Sequence, residues 1–479
     1  MVGRFLLYLA VFTASYAVKA ELYVFPAPSP EATSHTLNTE ITLYEEQTLS
    51  AIEQKNIDLL IKDTYQTLDK SNATSALSEI NQRYEGTFPA WLYSAIKRCE
   101  DWFNRTEGNI SCRNGALYDY WAEYVQGKHD LSRREVRRLA RVARIAEVNF
   151  NDDNSVAFAS PIQWDLSEFT ASLAVDRIAN YLTSINIRSY HISAQGLETH
   201  ASNQGFSWQG TVAQEAVIQN GRATDAVSNP STIAYIRPWQ RPVLSTSKLA
   251  SLEKGVLSHS DGWPSAKFQA ISVADNAFEA MLLAHFSATK TAQQAMELVN
   301  ANPSLALKLI DENGRVFTSN TYTARTSGKN KAEKNGHAIS IDITLPLFDI
   351  ADYRGPYVSV WISDEKNRLV KSLALRGTSE RWLGELRTWW RRVGRKNEGL
   401  VDGFAGATKK NAPLHIEWDG LDDFGQSANS SSLILHVEVA REHGGRSYEK
   451  IPFTFDSLTS PITVTGTDEI ASITLSLIN

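Results

Sequence analysis

A polar stretch between Asn320 and Gly336 limits the possible folds of this sequence more than any other feature. It is rich in Thr, Ser, Lys and Asn and contains almost no large apolar residue. Such a stretch has no apolar face to place in a hydrophobic core. The residue pattern also differs on its two sides. We therefore predict two folded domains joined by a linker at residues 319–337.

Helical and strand-like segments alternate before the linker. Apolar residues recur at helical spacing within residues 49–61 and 89–103, whereas residues 39–44 alternate as a strand does. Residues 131–142 predict a basic amphipathic helix. Its charges are most simply a solvated face, and a patch for an anionic ligand or a membrane is the alternative. These patterns predict a mixed α/β domain over residues 21–318.

Strand-like patterns dominate after the linker. Four segments predict strands, namely Ile339–Ile343, Tyr357–Ile362, Leu433–Val439 and Ile473–Leu477. One helix is predicted near Trp382–Arg392. Residues 338–479 are therefore expected to form a mainly β, sandwich-like domain, which makes the whole chain α+β.

The first 20 residues have the pattern of a signal peptide. Arg4 precedes a short apolar run, residues 5–12, and small residues follow up to Ala17 or Ala20. The run is too short to span a bilayer as a mature helix. No later segment is long, apolar and uncharged, so no transmembrane span is expected. We predict removal of residues 1–20 and a periplasmic or otherwise exported mature protein.

Charge and cysteine content set further limits. The net charge of −6 argues against nucleic acid as the main partner. The chain has two cysteines, Cys99 and Cys112. Export permits a disulfide between them, but the sequence fixes neither their distance nor their direction. Because a large exported protein with a good core does not need the bond, two separate buried cysteines are the simpler expectation.

Six segments carry a resemblance to a known family. They are Leu37–Ile41, Ser75–Asn81, Thr106–Ile110, Trp164–Arg177, Gly262–Pro264 and Ala274–Phe286. In this order they are similar to the family motifs L-G-T, S-E-L-S-x-L-N, T-G-G-A-F, L-D-L-G-G-I-A-K-G-Y-A-V-D-R, T-G-W-P and A-x-x-A-x-x-A-D-A-L-A-T-A. The family is that of the ApbE-type FAD:protein FMN transferases. The resemblance implies their fold, FAD as a ligand, and transfer of FMN to a Ser or Thr of an exported protein.

The residues that would hold the family's divalent cation are replaced. The family supplies an Asp and a Thr from the last motif, and these positions are Met281 and His285 here. Mg²⁺ prefers oxygen ligands, whereas a thioether suits soft metals. Mg²⁺ and metal ligands are therefore not expected. His285 is most simply a packing histidine, with a soft-metal ligand as the alternative.

Other motif positions have changed as well. The A-K-G triplet is Thr170–Ser172, the G-G-D loop is Ser193–Gln195, and the H-I-x-D-P-R-T-G segment ends in Asp261–Gly262. Asp176 and Arg177 of the V-D-R motif remain and are expected to form a structural ion pair. No catalytic residue is assigned. By family position, the candidates for contact with the flavin nucleotide are Thr106, Thr170, Ser193, Thr246 and Gly262.

The C-terminal part resembles a periplasmic family of unknown function. The resemblance lies in Pro356–Trp361, Arg381–Leu383, Trp389–Trp390, Gly406–Thr408, Trp418–Gly420 and Ala440–Gly445. It implies no chemistry. The acidic segment Asp419–Gly425 is expected to form a turn, because its spacing is not that of a calcium-binding loop.

Two functions fit these observations. The first is an exported transferase-like protein, catalytically impaired, that acts as a flavin-related binding or assembly module and docks an exported flavoprotein or flavinylation target. The alternative is an active flavin transferase with an altered metal site. The missing carboxylate at Met281 favours the first.

Overall fold

The computed structural model describes residues 3–478 apart from a set of internal segments. Those outside the description are residues 8–19, 27–37, 45–46, 159–161, 195–196, 202–206, 209–220, 223–230, 237–255, 266, 312–313, 323–337, 347, 349–354, 378–379, 397–412, 429–431 and 442–443. The candidate Thr246, the segment Gly406–Thr408 and most of the predicted linker therefore lie outside the described residues.

The described chain is built from short strands and medium-length helices. The strands are β1 (Gly3–Leu7), β2 (Ala20–Pro26), β3 (Asn38–Leu43), β4 (Glu85–Thr87), β5 (Val148–Phe150), β6 (Ser155–Phe158), β7 (Tyr190–Ala194), β8 (Leu197–Ala201), β9 (Ser207–Trp208), β10 (Gly221–Arg222), β11 (Ser231–Ile236), β12 (Val256–Leu257), β13 (Pro264–Ser265), β14 (Phe268–Ala274), β15 (Ala306–Asp311), β16 (Val316–Thr318), β17 (Ile339–Thr344), β18 (Tyr357–Asp364), β19 (Leu369–Arg376), β20 (Leu414–Trp418), β21 (Leu433–Ala440), β22 (Arg446–Phe453), β23 (Ile462–Thr465) and β24 (Ser472–Leu477). The α-helices are α1 (Ala51–Leu68), α2 (Ala76–Arg83), α3 (Ala90–Arg105), α4 (Gly115–Val125), α5 (Arg133–Ile145), α6 (Thr170–Ser184), α7 (Ala277–Thr289), α8 (Ala292–Asn300) and α9 (Arg387–Arg392).

The chain divides into two compact units. The first comprises Met1–Phe206 and Asp225–Thr289, and the second comprises Ser207–Thr224 and Lys290–Asn479. In the first unit, strands run in the order β1-β2-β3-β7-β8-β11-β14, and each neighbouring pair is antiparallel. Its described strands also include a small sheet, β4-β6-β5, and the two-stranded hairpin β12–β13.

The helices of the first unit follow the sequence pattern. In α5, Val136, Ala140 and Ala143 are buried while the arginines of the opposite face are exposed, so the predicted amphipathic helix is confirmed, and the solvated-face interpretation of its charges stays a prediction. Helix α1 begins at a capping box in which Ser50 and Glu53 satisfy each other's backbone N–H groups. Helix α7 is buried along almost its whole length and contacts β11, β14 and α6.

The second unit contains two four-stranded antiparallel sheets. Their orders are β20-β17-β24-β23 and β19-β18-β21-β22. The inward-facing residues of both sheets, such as Ile341 of β17 and Leu435 of β21, form one hydrophobic core. Alternating residues of two sheets that share a core define a β-sandwich, and the predicted α+β class with a C-terminal β sandwich is confirmed. The helix predicted near Trp382–Arg392 is also present, as a 3₁₀ turn followed by α9.

Candidate functional site

Three motif segments that are far apart in the sequence meet in the first unit. The segment Trp164–Arg177 forms a 3₁₀ turn, Ser167–Phe169, followed by α6. The segment around Asp261–Gly262 forms the loop of the β12–β13 hairpin. Both contact α7, which carries Met281 and His285. The motif order predicted from the sequence therefore corresponds to one spatial junction.

Four polar side chains form a hydrogen-bonded cluster at this junction, which we call the junction cluster: Tyr118, Glu168, His259 and His285. His285 Nε2 lies 2.5 Å from Glu168 Oε2. Tyr118 Oη lies 2.8 Å from the same oxygen and 2.8 Å from His259 Nε2. The two imidazole rings stack with their centroids 4.5 Å apart. The junction cluster thus joins α4, the 3₁₀ turn, the β12–β13 hairpin and α7.

The junction cluster has a buried side and a partly exposed side. His259 and His285 are each 1% exposed, whereas Tyr118 and Glu168 keep partial contact with solvent. His285 is therefore buried, as expected of a packing histidine, but its Nε2 faces a carboxylate. Met281 is also buried, one turn before His285 on α7.

The hairpin that carries His259 is fixed by its glycine. Gly262 has φ +80°, its N–H donates to Ser258 O at 2.8 Å, and its carbonyl accepts from Trp121 Nε1 at 2.9 Å. A Cβ at this position would lie 2.9 Å from Val136 Cγ1. Gly262 is therefore required by the backbone and by the close approach of α5.

The loop after α3 supports the other side of His259. Ser111 N–H donates to His259 Nδ1 at 2.9 Å. The next residue, Cys112, is bonded to Cys99 of α3 with a Cα–Cα distance of 6.2 Å. The expectation of two separate cysteines is therefore wrong, because α3 turns its Cys99 directly towards this loop. Buried Arg113 forms an ion pair with Glu100 and holds the loop further.

The structure places the other predicted nucleotide contacts as follows. Thr106 caps the C-terminus of α3, where its hydroxyl bonds Trp102 O at 2.6 Å and accepts from Ile110 N. Thr170 opens α6, two residues after Glu168, and bonds Leu166 O. Ser193 lies within β7. The structure thus brings the segments of Thr170, Gly262 and His285 together, and it places Thr106 and Ser193 in other elements.

The ion pair expected between Asp176 and Arg177 is wrong. Arg177 pairs with Asp63 at 2.8 Å. Asp176 accepts hydrogen bonds from Ala277 N–H at 2.6 Å and Phe278 N–H at 3.1 Å, so it caps α7. Successive residues on a helix point in different directions, which explains why the two side chains find different partners. Burial raises the pKa of Asp176 to about 6, against the two backbone hydrogen bonds and the charge of Arg98.

Sequence reasoning missed three members of the junction cluster. In the register of the resemblance, Glu168 falls on the second glycine of L-D-L-G-G and His259 falls on the proline of D-P-R-T-G. Neither family position supplies a side-chain ligand, so comparison of the known ligand positions could not find them. A search for charged or imidazole side chains at glycine and proline positions of these motifs would have found both.

In the second unit, the turn expected at Asp419–Gly425 is confirmed. Asp419 Oδ1 accepts the backbone N–H of Leu421 at 3.1 Å. Asp422 Oδ1 accepts the N–H groups of Phe424 and Gln426, each at 2.9 Å. These carboxylates therefore close the turn through Asx-type hydrogen bonds.

The first unit has an antiparallel sheet with a buried helix against it, and its motif junction is occupied by imidazole and carboxylate side chains. These features define a flavin-transferase-type fold. The sequence pattern of the ApbE family matches residues 36–309, more than half of the chain, so the chain belongs to the ApbE family. A second pattern, described as a predicted periplasmic protein of the DUF2271 family, matches residues 338–472.

Solved structures agree with this fold. The flavin transferase ApbE from Vibrio cholerae is 16% identical, with a TM-score of 0.50, and the match covers 64% of this chain and 99% of that one. The ApbE protein from Thermotoga maritima is 16% identical, with a TM-score of 0.51 and coverages of 61% and 96%. The flavinyl transferase ApbE from Pseudomonas stutzeri is 12% identical, with a TM-score of 0.51 and coverages of 66% and 99%. No curated protein matches the chain.

A membrane-spanning helix was also sought. Within the described residues, no helix combines the length and the apolar character that crossing a bilayer requires.

Proposed function

We propose that this ApbE-family protein does not transfer FMN with Mg²⁺ and that it acts outside the inner membrane as a flavin-related binding or assembly module. The observation that carries the proposal is the composition of α7, where Met281 and His285 stand at the family's Asp and Thr positions. A thioether and an imidazole are poor ligands for Mg²⁺. Without the cation, the charge that develops on the pyrophosphate is not neutralised.

The hydrogen bond made by His285 supports this proposal. Its Nε2 is hydrogen-bonded to Glu168, so that nitrogen is already occupied. The hydroxyls of Thr106 and Thr170 also donate to the backbone carbonyls of Trp102 and Leu166, four residues earlier in the chain. We retain Thr106, Thr170, Ser193, Thr246 and Gly262 as proposed neighbours of FAD by family position, and an exported flavoprotein as the proposed partner.

Export is part of the proposal. The N-terminal pattern is that of a signal peptide, and the C-terminal family is described as periplasmic. Strand β1, which lies inside residues 1–20, is at the end of the sheet order, and β2 is its one partner among the described strands. Removal of β1 would therefore leave the β2–β3 ladder intact. The mass of the protein recovered from the periplasm measures the cleavage directly.

The test of function is a titration of purified mature protein with FAD, with and without Mg²⁺, together with a flavinylation assay on an acceptor peptide. We expect FAD affinity that does not change with Mg²⁺ and no covalent flavin on the acceptor. Flavin fluorescence on the acceptor band above a no-enzyme control would instead establish the alternative, an active transferase with an altered metal site.

A double substitution tests where the cation position lies. Met281→Asp with His285→Thr restores two oxygen ligands one turn apart on α7. We expect FAD binding to become Mg²⁺-dependent, with little transfer, because the lysine of A-K-G is Ala171 here and catalysis needs near-attack geometry. His285→Thr alone is the matched control. Equal FAD affinity with and without Mg²⁺ in the double variant would show that α7 is not the cation helix.

A further inference from the structure

The contacts of His259 determine which of its ring nitrogens carries hydrogen. Ser111 N–H donates to Nδ1 at 2.9 Å, so Nδ1 must present its lone pair. A neutral imidazole has one N–H, and the hydrogen of His259 is therefore on Nε2. This N–H points to Tyr118 Oη at 2.8 Å.

The hydrogens of the other members follow. Because Tyr118 Oη accepts from His259, its own hydrogen is directed to Glu168 Oε2 at 2.8 Å. His285 Nε2 lies 2.5 Å from the same oxygen and donates to it, since an ionised carboxylate only accepts. His285 Nδ1 is buried, and no hydrogen-bond partner exists for it among the described residues. A hydrogen on that nitrogen would be a buried unpaired donor, which is costly.

This hydrogen pattern does not suit a cation, although Glu168, His259 and His285 offer ligand atoms within 4.8 Å of one another. A histidine that binds metal through Nε2 carries hydrogen on Nδ1 and donates it to an acceptor. His259 Nδ1 faces a donor instead, and His285 Nδ1 faces no described acceptor. Two tetrahedral ligands of a zinc ion would be about 3.4 Å apart, whereas His285 and Glu168 are 2.5 Å apart.

The pattern suits an activated hydroxyl. A nucleophile, a base within hydrogen-bond reach and a third group that orients the base form the general arrangement of nucleophilic catalysis. Here Tyr118 is the hydroxyl, Glu168 is the base, and His285 holds the carboxylate. His259 N–H is placed to stabilise a phenolate at Tyr118 Oη. Both reacting residues are on the partly exposed side of the junction cluster.

We propose that Tyr118 is a nucleophile, that Glu168 is its general base, and that His259 and His285 are positioning residues. The substrate class is a neutral activated acyl group, because the charge of Glu168 repels a phosphate anion. In the reaction, a bond forms between Tyr118 Oη and the acyl carbon while the bond to the leaving group breaks. The hydroxyl proton passes to Glu168, and the leaving group departs with the bonding electron pair and takes up that proton. This inference does not depend on flavin binding.

The experiment measures acetylation of each tyrosine by N-acetylimidazole, read by peptide mass spectrometry of the mature protein. Tyr124, on the same helix and also partly exposed, is the internal reference. We expect Tyr118 to react about 100-fold faster than Tyr124, the lower end of the usual gain from general base catalysis. Glu168→Gln should reduce the acetylation rate of Tyr118 to that of Tyr124. Glu123→Gln, an exposed change on α4, should leave the rate of Tyr118 unchanged.

A pH profile separates positioning from simple packing. The hydrogen bond from His285 Nε2 favours the charged form of the Glu168 carboxylate. His285→Asn removes that donor, so the pH at which the acetylation rate of Tyr118 rises should be higher in this variant. Circular dichroism of each variant verifies that it has folded. Equal rates for Tyr118 and Tyr124 in the wild type would overturn the proposal. Stoichiometric Zn²⁺ binding that abolishes the reactivity would also overturn it, in favour of a metal site.

Discussion

Gly262 shows how one residue controls the hairpin that carries His259. Its φ of +80° and the close approach of Val136 leave no room for a side chain. The chain also contains Gly127, which has φ +73° but has nothing within 4 Å of the Cβ position. The two glycines therefore separate the cost of the backbone conformation from the cost of overpacking.

We predict that Gly262→Ala lowers the free energy of unfolding by about 3 kcal/mol, the sum of left-handed strain and overpacking. The control Gly127→Ala should cost only the strain, about 1 kcal/mol. Urea unfolding of both variants measures the difference. Equal losses in the two variants would contradict the contact between Gly262 and α5.

The connection between α3 and the loop after it is covalent. The bond between Cys99 and Cys112 closes a loop with a sequence separation of 13 residues, and both residues are fully buried. In the chain-entropy view, such a cross-link stabilises by restricting the unfolded chain. It also fixes the loop that carries Ser111.

Reduction of this bond should therefore lower the free energy of unfolding of the first unit by about 3 kcal/mol. Unfolding in denaturant with and without dithiothreitol measures the effect. The double variant Cys99→Ala/Cys112→Ala is the control, because its stability should not respond to the reductant. A wild-type protein indifferent to dithiothreitol would show that the bond contributes no stability.

The elements were largely predictable from the sequence, but the junction cluster was not. The apolar face of α3 and the apolar pattern of α7 are local patterns, and both segments are helices in the structure. Ser111 and His259 are 148 residues apart, and no local pattern brings them together. The prediction of two separate cysteines was wrong for a similar reason. Formation of a disulfide depends on the direction of the Cβ atoms, which the sequence does not contain.

Each unit carries an ionisable group whose pKa is shifted by removal from water, and the two shifts have opposite effects on stability. In the first unit, burial raises the pKa of Asp176 from 3.8 to about 6. In the second unit, burial together with the charges of Arg392 and Lys450 lowers the pKa of His436 from 6.5 to about 3. His436 is fully buried between Ser363 and Tyr448, to which its ring nitrogens are hydrogen-bonded.

We predict opposite pH slopes for the two units between about pH 4 and 6. In that range Asp176 keeps its proton in the folded protein and releases it in the unfolded chain. The free energy of unfolding of the first unit therefore falls by about 3 kcal/mol as pH rises. His436 gains a proton in the unfolded chain but stays neutral in the folded protein. The free energy of unfolding of the second unit therefore falls by about 1.4 kcal/mol for each decrease of one in pH.

Segment-resolved hydrogen exchange, corrected for intrinsic rates, measures both slopes. Asp176→Asn should flatten the first slope and His436→Gln the second, and neither variant should affect the other unit. The exposed His415 is a control of opposite sign, because Asp342 and Glu417 outweigh partial burial and raise its pKa. Parallel slopes in the two units would contradict these assignments.

The domain boundary remains a prediction at residues 319–337. Limited proteolysis should cut first between about Thr321 and Gly336, where Lys and Arg residues occur without apolar anchors. Digestion followed by mass spectrometry of the first fragments measures this. First cleavage inside α7 or the β-sandwich would place the boundary elsewhere.

The disulfide has a consequence for the order in which the protein matures. Cys112 directly follows Ser111 in the chain. The backbone N–H of Ser111 donates to His259 Nδ1 and so fixes the ring hydrogen of His259 on Nε2. A reducing cytosol does not favour the bond between Cys99 and Cys112, and an oxidising compartment does. The tautomer of His259 is thereby tied to oxidation of a cysteine pair that adjoins Ser111, which lies 148 residues before His259 in the chain. Under the proposed export, the hydrogen-bond pattern of the junction cluster would become complete only after the chain has crossed the membrane.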